Sequence, residues 1–285
     1  MKHLSTQLER QRVMAKLFTR PVFTEIARAG SITPVLQQLR RLGFSSDDRN
    51  EIGSLFDACL DELQTAYRCE YVYKSAIADR IVFGRHSPRT ASMHVELPVG
   101  GSIVDVAVFN GTSTAYEIKT ELDSDKRLSS QSPDYLRAFD RVFVVTHPSL
   151  VARYEAAVDD RVGILVLKGR NQLSEIRPAQ SDVSRIDPAV VFRMLRRDEY
   201  IAAVTKYFGT QPALPNGALF AHYEVLFRKL DPSAAHDVLV SAMRQRTTDD
   251  ATVSFVSELP RSLRPLGYAT PLSGVQRMKL LKVLA

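Results

Sequence analysis

The chain has 285 residues, 45% of them hydrophobic and 25% charged, with a formal net charge of +6. That composition provides enough apolar side chain for a packed core, which excludes intrinsic disorder, and the length allows one large domain or two to three small ones. The longest apolar runs, such as VFVV at 142–145 and ILVL at 164–167, fall far short of the roughly 20 residues that cross a bilayer as a helix, which excludes a helical membrane span.

The opening segment, MKHLSTQLERQR, is charged throughout and lacks the apolar stretch of a secretory signal. A cytoplasmic protein without a membrane partner is therefore expected. Cys59 and Cys69 match neither a redox CxxC pair nor a zinc knuckle and read as small buried hydrophobes. The positive net charge favours an anionic partner without identifying it.

Residues 1–65 read as a helical region. LSTQLERQRVMAKLF places Leu8, Val13, Met14, Leu17 and Phe18 at helical spacing, and VLQQLRRLGF repeats Leu36, Leu39 and Leu42. Gly30 and Gly43-Phe44 supply the breaks. The stretch from Phe23 to Gly43 resembles a helix-turn-helix in outline, although a helical cap packed on a larger core accounts for it better.

Residues 66–180 change period. A helix over CEYVYKSAIADRIVFG precedes three alternating segments, HVELPV, SIVDVAVF and STAYEIK, which Pro98, Gly100-Gly101 and Asn110-Gly111 divide. Then come a helix around SPDYLRAFD, the strand RVFVVTH, a helix over PSLVARYEAAV and the strand GILVLKG. This order predicts an α/β domain whose sheet begins antiparallel and continues parallel. Residues 181–285 return to helices, with Asp187-Pro188 and Asp231-Pro232 as helix starts: an acidic cap followed by proline at the first helical position.

The hairpin carries the chemistry. In SIVDVAVF, Val104, Val106 and Val108 are expected on one face, with Asp105 and Ala107 on the other. A three-residue loop over Asn110, Gly111 and Thr112 sets Asp105 opposite Glu117 and gathers Asp105, Glu117 and Lys119 on one side. Carboxylates placed about 4 Å apart repel by roughly 1 kcal/mol in water and by about 4 kcal/mol when partly buried. A divalent cation removes that repulsion, and Mg²⁺ prefers one or two carboxylates completed by water and substrate phosphate. Spacing alone is equally compatible with an exposed sheet face carrying an incidental Glu117–Lys119 pair. Upstream, Glu70 shares a helical stripe with Tyr73, Ile77 and Ile81, where a carboxylate is unusual without a partner. Glu96 in HVELPV is a further acidic residue, read as an exposed strand position.

These elements together resemble the PD-(D/E)XK nuclease superfamily: a helix with Glu70, strands bearing Asp105 and then Glu117-Ile118-Lys119, and a following helix opened by QSPDY. Gln131 and Tyr135 match the QxxxY pattern of its RecB-like branch, whereas Val104 stands where the literal motif has proline. The likeness covers residues 66–147 or so. It implies a restriction-endonuclease-like αβββαβ core with a mixed sheet, flanked by helical regions. It also implies Mg²⁺ or Mn²⁺ held by Asp105, Glu117, the Ile118 carbonyl and Glu70, with Lys119 positioning the attacking water. Gln131 and Tyr135 would contact substrate or steady the active-site hydrogen bonds. Apart from the resemblance, Arg127 in DSDKRL lies just past the third strand, where a cation suits substrate phosphate and a solvated charged turn accounts for it equally well. The expected partner is nucleic acid, with DNA favoured. A nucleic-acid-binding regulator with an inactive core stays open, as does a component of a defence or mobile-element system that needs a protein partner or a second copy of itself.

Overall fold

The computed structural model describes residues 2–41, 52–121, 133–169 and 171–285. Helices α1 (Lys2–Leu17), α2 (Arg20–Ala29), α3 (Thr33–Arg41) and α4 (Ile52–Ala66) precede α5 (Glu70–Ile77), which runs on into a wider π-helical turn at Ala78–Arg85. Gly30 ends α2 with a left-handed φ of 64°, its N–H donating to Ile26 O. Only glycine takes that conformation without steric cost. The expected breaks at Gly43 and Phe44, and the apolar position Leu42, lie outside the described residues.

Six strands follow: β1 (Ser92–Val99), β2 (Ser102–Phe109), β3 (Ser113–Lys119), β4 (Arg141–Thr146), β5 (Gly163–Lys168) and β6 (Gln172–Arg177). They lie side by side in chain order. β1–β2 and β2–β3 are antiparallel, β3–β4 and β4–β5 parallel. Helix α6 (Val151–Ala157) sits between β4 and β5 in the chain. This is the mixed α/β sheet that the alternation predicts. The pattern does not reveal β6, which pairs antiparallel with β5. Its sequence QLSEIR leaves no residue fully buried, so as an edge strand it lacks the apolar signature of the central strands.

The C-terminal helices are α7 (Pro188–Met194), α8 (Arg197–Phe208), α9 (Asn216–Phe227), α10 (Pro232–Gln245), α11 (Asp250–Glu258), α12 (Arg264–Ala269) and α13 (Gly274–Leu284). Asp187 caps α7 by accepting from Ala189 N at 2.8 Å, and Asp231 caps α10 by accepting from Ala234 N at 3.0 Å. Both have proline in the first turn, as the two Asp-Pro pairs foretell.

Each face of the sheet is covered. Val106, Val108, Tyr116, Ile118, Phe143 and Val145 pack with Met14, Phe23, Leu60 and Tyr73 from the N-terminal side, and with Phe255, Leu266 and Leu280 from the C-terminal helices. Ala107, Phe109, Ala115, Val142 and Val144 pack on the other side with Tyr135, Phe192, Val204, Phe227 and Leu239. Two covered faces account for the near-continuous apolar runs of β4 and β5.

One expectation about the hairpin needs correction. Val104 does not share a face with Val106 and Val108; it packs in the second cluster with Ala107 and Phe109. In β1, likewise, Met93 and Val95 pack with the first cluster, while Leu97 and Val99 pack with the second. The change falls at Glu96, whose φ of 55° is left-handed, and Glu96 and Asp105 are absent from a ladder that is otherwise in constant register. A left-handed residue rotates the pleat, so simple alternation fails across it.

At the other end of the sheet, Gly163 lies beneath Phe143, its register partner across β4 and β5. A Cβ on Gly163 would stand 2.4 Å from Cε1 of Phe143 and 2.6 Å from Ala179 N. Phe143 is itself stacked on Tyr116, with ring centroids 5.8 Å apart. Gly163→Ala is expected to destabilise the protein by about 1–3 kcal/mol through overpacking, read as a lower midpoint in chemical denaturation.

Candidate active site

The three-residue loop predicted for the hairpin is present: Phe109 pairs with Ser113, and Val106 with Tyr116. The β2–β3 ladder stops at that second pair although both strands continue. Beyond it, the Asp105 carboxylate takes the place of a ladder acceptor, with Oδ2 receiving Ile118 N–H at 2.7 Å. A side chain therefore stands between the strands and touches the peptide that joins Glu117 to Ile118.

Glu117 is buried, at 3% exposure. Its Oε1 accepts from Lys119 Nζ at 2.7 Å and its Oε2 from the Tyr135 hydroxyl at 3.0 Å. The same hydroxyl lies 2.7 Å from Ile103 O. Tyr135 comes from the helical turn at 133–136, so it ties that turn to β2 and β3 at once. Its neighbour Asp134 fixes the β1–β2 turn by accepting from Gly101 N at 3.2 Å and Ser102 Oγ at 2.7 Å.

Burial raises the Asp105 carboxyl to a pKa of about 7, reinforced by the Glu117 and Glu70 carboxylates and partly opposed by the Ile118 N–H and Lys74. Burial beside Glu117 also drives the Tyr135 phenol far above its ordinary range, so this hydroxyl stays a proton donor.

Glu70 begins α5 at the edge of this group. Its carboxylate lies 2.5 Å from Lys74 Nζ, and the same ammonium lies 3.0 Å from Glu96 Oε1. Lys74 is only 7% exposed, while Glu70 and Glu96 are about half exposed. Arg20, from the start of α2, holds the other Glu96 oxygen at 3.0 Å. The sequence pattern did not single out Lys74 or assign Glu96 a place here. The signal available was Lys74 one helical turn after Glu70, the i,i+4 spacing of an ion pair.

Of the candidate residues, Asp105, Glu117, Ile118, Lys119 and Tyr135 come together, and Glu70 adjoins them through its charge on Asp105. Gln131 and Arg127 lie outside the described residues. Among the described residues, no three of His, Cys, Asp and Glu are gathered closely enough to hold a metal ion. Asp105 and Glu117 alone match the one or two carboxylates that Mg²⁺ takes from protein, with water completing its shell. Among the described residues no donor meets the second oxygen of Asp105, whereas Lys119 and Tyr135 each bond one oxygen of Glu117.

A second polar cluster has a different character. Ser113 Oγ lies 2.9 Å from His236 Nε2, but Ser113 is fully buried, and the Asp140 carboxylate accepts from Thr112 and Ser181 instead of the histidine. Sealed from substrate and lacking the relay from acid to imidazole, it binds the sheet to α10 and is not a nucleophile.

The family model for Bacteriophage P4 protein cII matches residues 64–263. This chain belongs to that family. The match runs from the end of α4 to the turn before α12 and takes in Glu70, Asp105, Glu117, Lys119 and Tyr135. Protein cII of Enterobacteria phage P4 is 25% identical over 150 residues, which are 50% of this chain and 53% of that protein. The cII-family chain thus spans about half the length of the curated relative it matches. A solved protein of unknown function from Silicibacter pomeroyi is similar at 19% identity, over 33% of this chain and 62% of the other, with a TM-score of 0.28.

The raised Asp105 pKa sets a pH dependence. Between the ordinary value of 3.8 and about 7, the folded state binds more protons than the unfolded one, so this group's contribution to stability falls as pH rises through that window. In EDTA, thermal stability is expected to drop between about pH 4 and pH 7, and Asp105→Asn should remove most of the slope. An unchanged slope in the variant would show that Asp105 does not titrate there.

Proposed function

We propose that this chain is a divalent-metal-dependent phosphodiester hydrolase acting on nucleic acid, with DNA as the favoured substrate and a restriction-endonuclease-like core. What carries this reading is the pair of carboxylates across the opened end of β2 and β3, with Asp105 on the Ile118 peptide N–H and Glu117 on Lys119 and Tyr135. The three antiparallel strands followed by parallel ones support the same core, and the net charge of +6 suits a polyanion.

A bound Mg²⁺ or Mn²⁺ would lower the pKa of a water ligand and neutralise charge on the phosphate. Asp105, through its second oxygen, and Glu117 are the residues to hold it, with the Ile118 carbonyl and Glu70 as further donors. Lys119 would orient the attacking water and stabilise charge on the phosphoryl oxygens. Tyr135, through its hydroxyl, fixes the Glu117 carboxylate in direction. The Ile118 N–H performs the corresponding service for Asp105.

A second reading has an observation of its own. Both Glu117 oxygens are satisfied within the protein, an arrangement that also suits a nucleic-acid-binding regulator built on an inactive core. Incubation with plasmid and single-stranded DNA in Mg²⁺, Mn²⁺ or EDTA separates the two. Metal-dependent cleavage is expected, reduced on the order of 10²–10³-fold by Lys119→Met and about 10–100-fold by Tyr135→Phe, and abolished by Asp105→Ala. Binding without cleavage in every metal would establish the regulator, and cleavage persisting in both Asp105→Ala and Lys119→Met would discard the site.

A further inference from the structure

Next to the carboxylates is a cavity of about 420 Å³, within the range of small-ligand pockets. Its lining includes Phe18 from the turn after α1, Tyr71 from α5, Val95 from β1 and Leu266 from α12, together with Arg20, Glu70, Lys74 and Glu96. Asp105, Glu117 and Lys119 do not line it. Glu70 and Lys74 line the cavity and also act by their charge on Asp105.

We propose that this cavity receives a nucleobase of the substrate strand beside the scissile phosphate; the proposal rests on the nuclease reading above. The argument for a base begins with charge. Arg20 pairs with Glu96 at 3.0 Å, and Lys74 with Glu96 at 3.0 Å and Glu70 at 2.5 Å. Two cations are thus matched by two carboxylates. A phosphate entering here would break those pairs and face two like charges, whereas a neutral heterocycle finds both donors and acceptors around its edge. The walls supply the rest. Phe18 and Tyr71 are stacked, with centroids 4.9 Å apart and planes 19° from parallel, and the Tyr71 hydroxyl is anchored on Ser262 O at 2.5 Å. A rigid aromatic pair lining a cavity of this size suits a flat ring that extends the stack.

Glu96 adds evidence of a built feature. A glutamate with φ 55° holds a left-handed conformation that residues other than glycine rarely adopt. Arg20 and Lys74, which line the same cavity, pair with its carboxylate. The helical flanks thereby acquire a role, since α1, α2 and α12 complete a pocket that the sheet alone does not form.

The test compares an ordinary single-stranded oligonucleotide with one of equal length whose sugars are all abasic, so that the phosphates are identical. Affinities are read by fluorescence anisotropy in EDTA, without turnover. The intact chain is expected to bind the base-bearing strand on the order of tenfold more tightly. Ala269→Phe and Ala15→Leu, both at positions that line the cavity, should each bring that ratio close to one while leaving abasic binding unchanged. Thermal melting identifies any variant that fails to fold, and the remaining one decides. Equal affinities in the intact chain, or a ratio that survives filling, would overturn the base pocket and leave the nuclease reading to its cleavage assay. Failure to bind either strand would likewise overturn the base pocket, and cleavage in Mg²⁺ or Mn²⁺ would decide the nuclease reading separately.

Discussion

A carboxylate substituting for a backbone acceptor is the interaction on which the site depends. Asp105 Oδ2 takes the Ile118 N–H at the point where the β2–β3 ladder ends. This bond allows two paired strands to separate without leaving a buried N–H unsatisfied, a loss worth about 1–3 kcal/mol. It also places an acid that burial has pushed to a pKa of about 7 against the next strand's Glu117. Burial, with the Glu117 and Glu70 carboxylates, favours the neutral form of that acid, and Lys119, Lys74 and the Tyr135 hydroxyl partner the surrounding carboxylates.

The hairpin was legible because its information is local. The sequence NGT between two alternating runs fixes loop length, loop length fixes register, and register sets Asp105 across from Glu117. The register found, with Phe109 opposite Ser113, follows from those residues alone. Helix caps at Asp187 and Asp231 were legible for the same reason, since cap and proline are adjacent in the chain.

What escaped the sequence depends on contacts made at a distance. Val104 changes face because Glu96, on the neighbouring strand, adopts a left-handed backbone. Alternation assumes regular pleating and carries no sign of that. β6 is stabilised by pairing with β5 and by Arg177 donating to Val162 O at 2.9 Å, not by an apolar face of its own. Lys74 occupies a buried stripe where a cation reads as a misfit until Glu70 and Glu96 are seen on either side of it.

The same network explains why the helical flanks and the sheet form a continuous body. The first cluster draws on residues from Met14 to Leu284 and joins α1–α5 to α11–α13 beneath one face of the sheet, while α7–α10 cover the other. Loss of either layer would expose apolar strands and also release the elements that hold the charges: α2 with Arg20, α5 with Glu70 and Lys74, and the turn with Tyr135. Packing and electrostatics are therefore coupled here. Carboxylates this close together are tolerable only where a rigid frame keeps their cationic and hydroxyl partners in place, and the two-sided core is what supplies that rigidity.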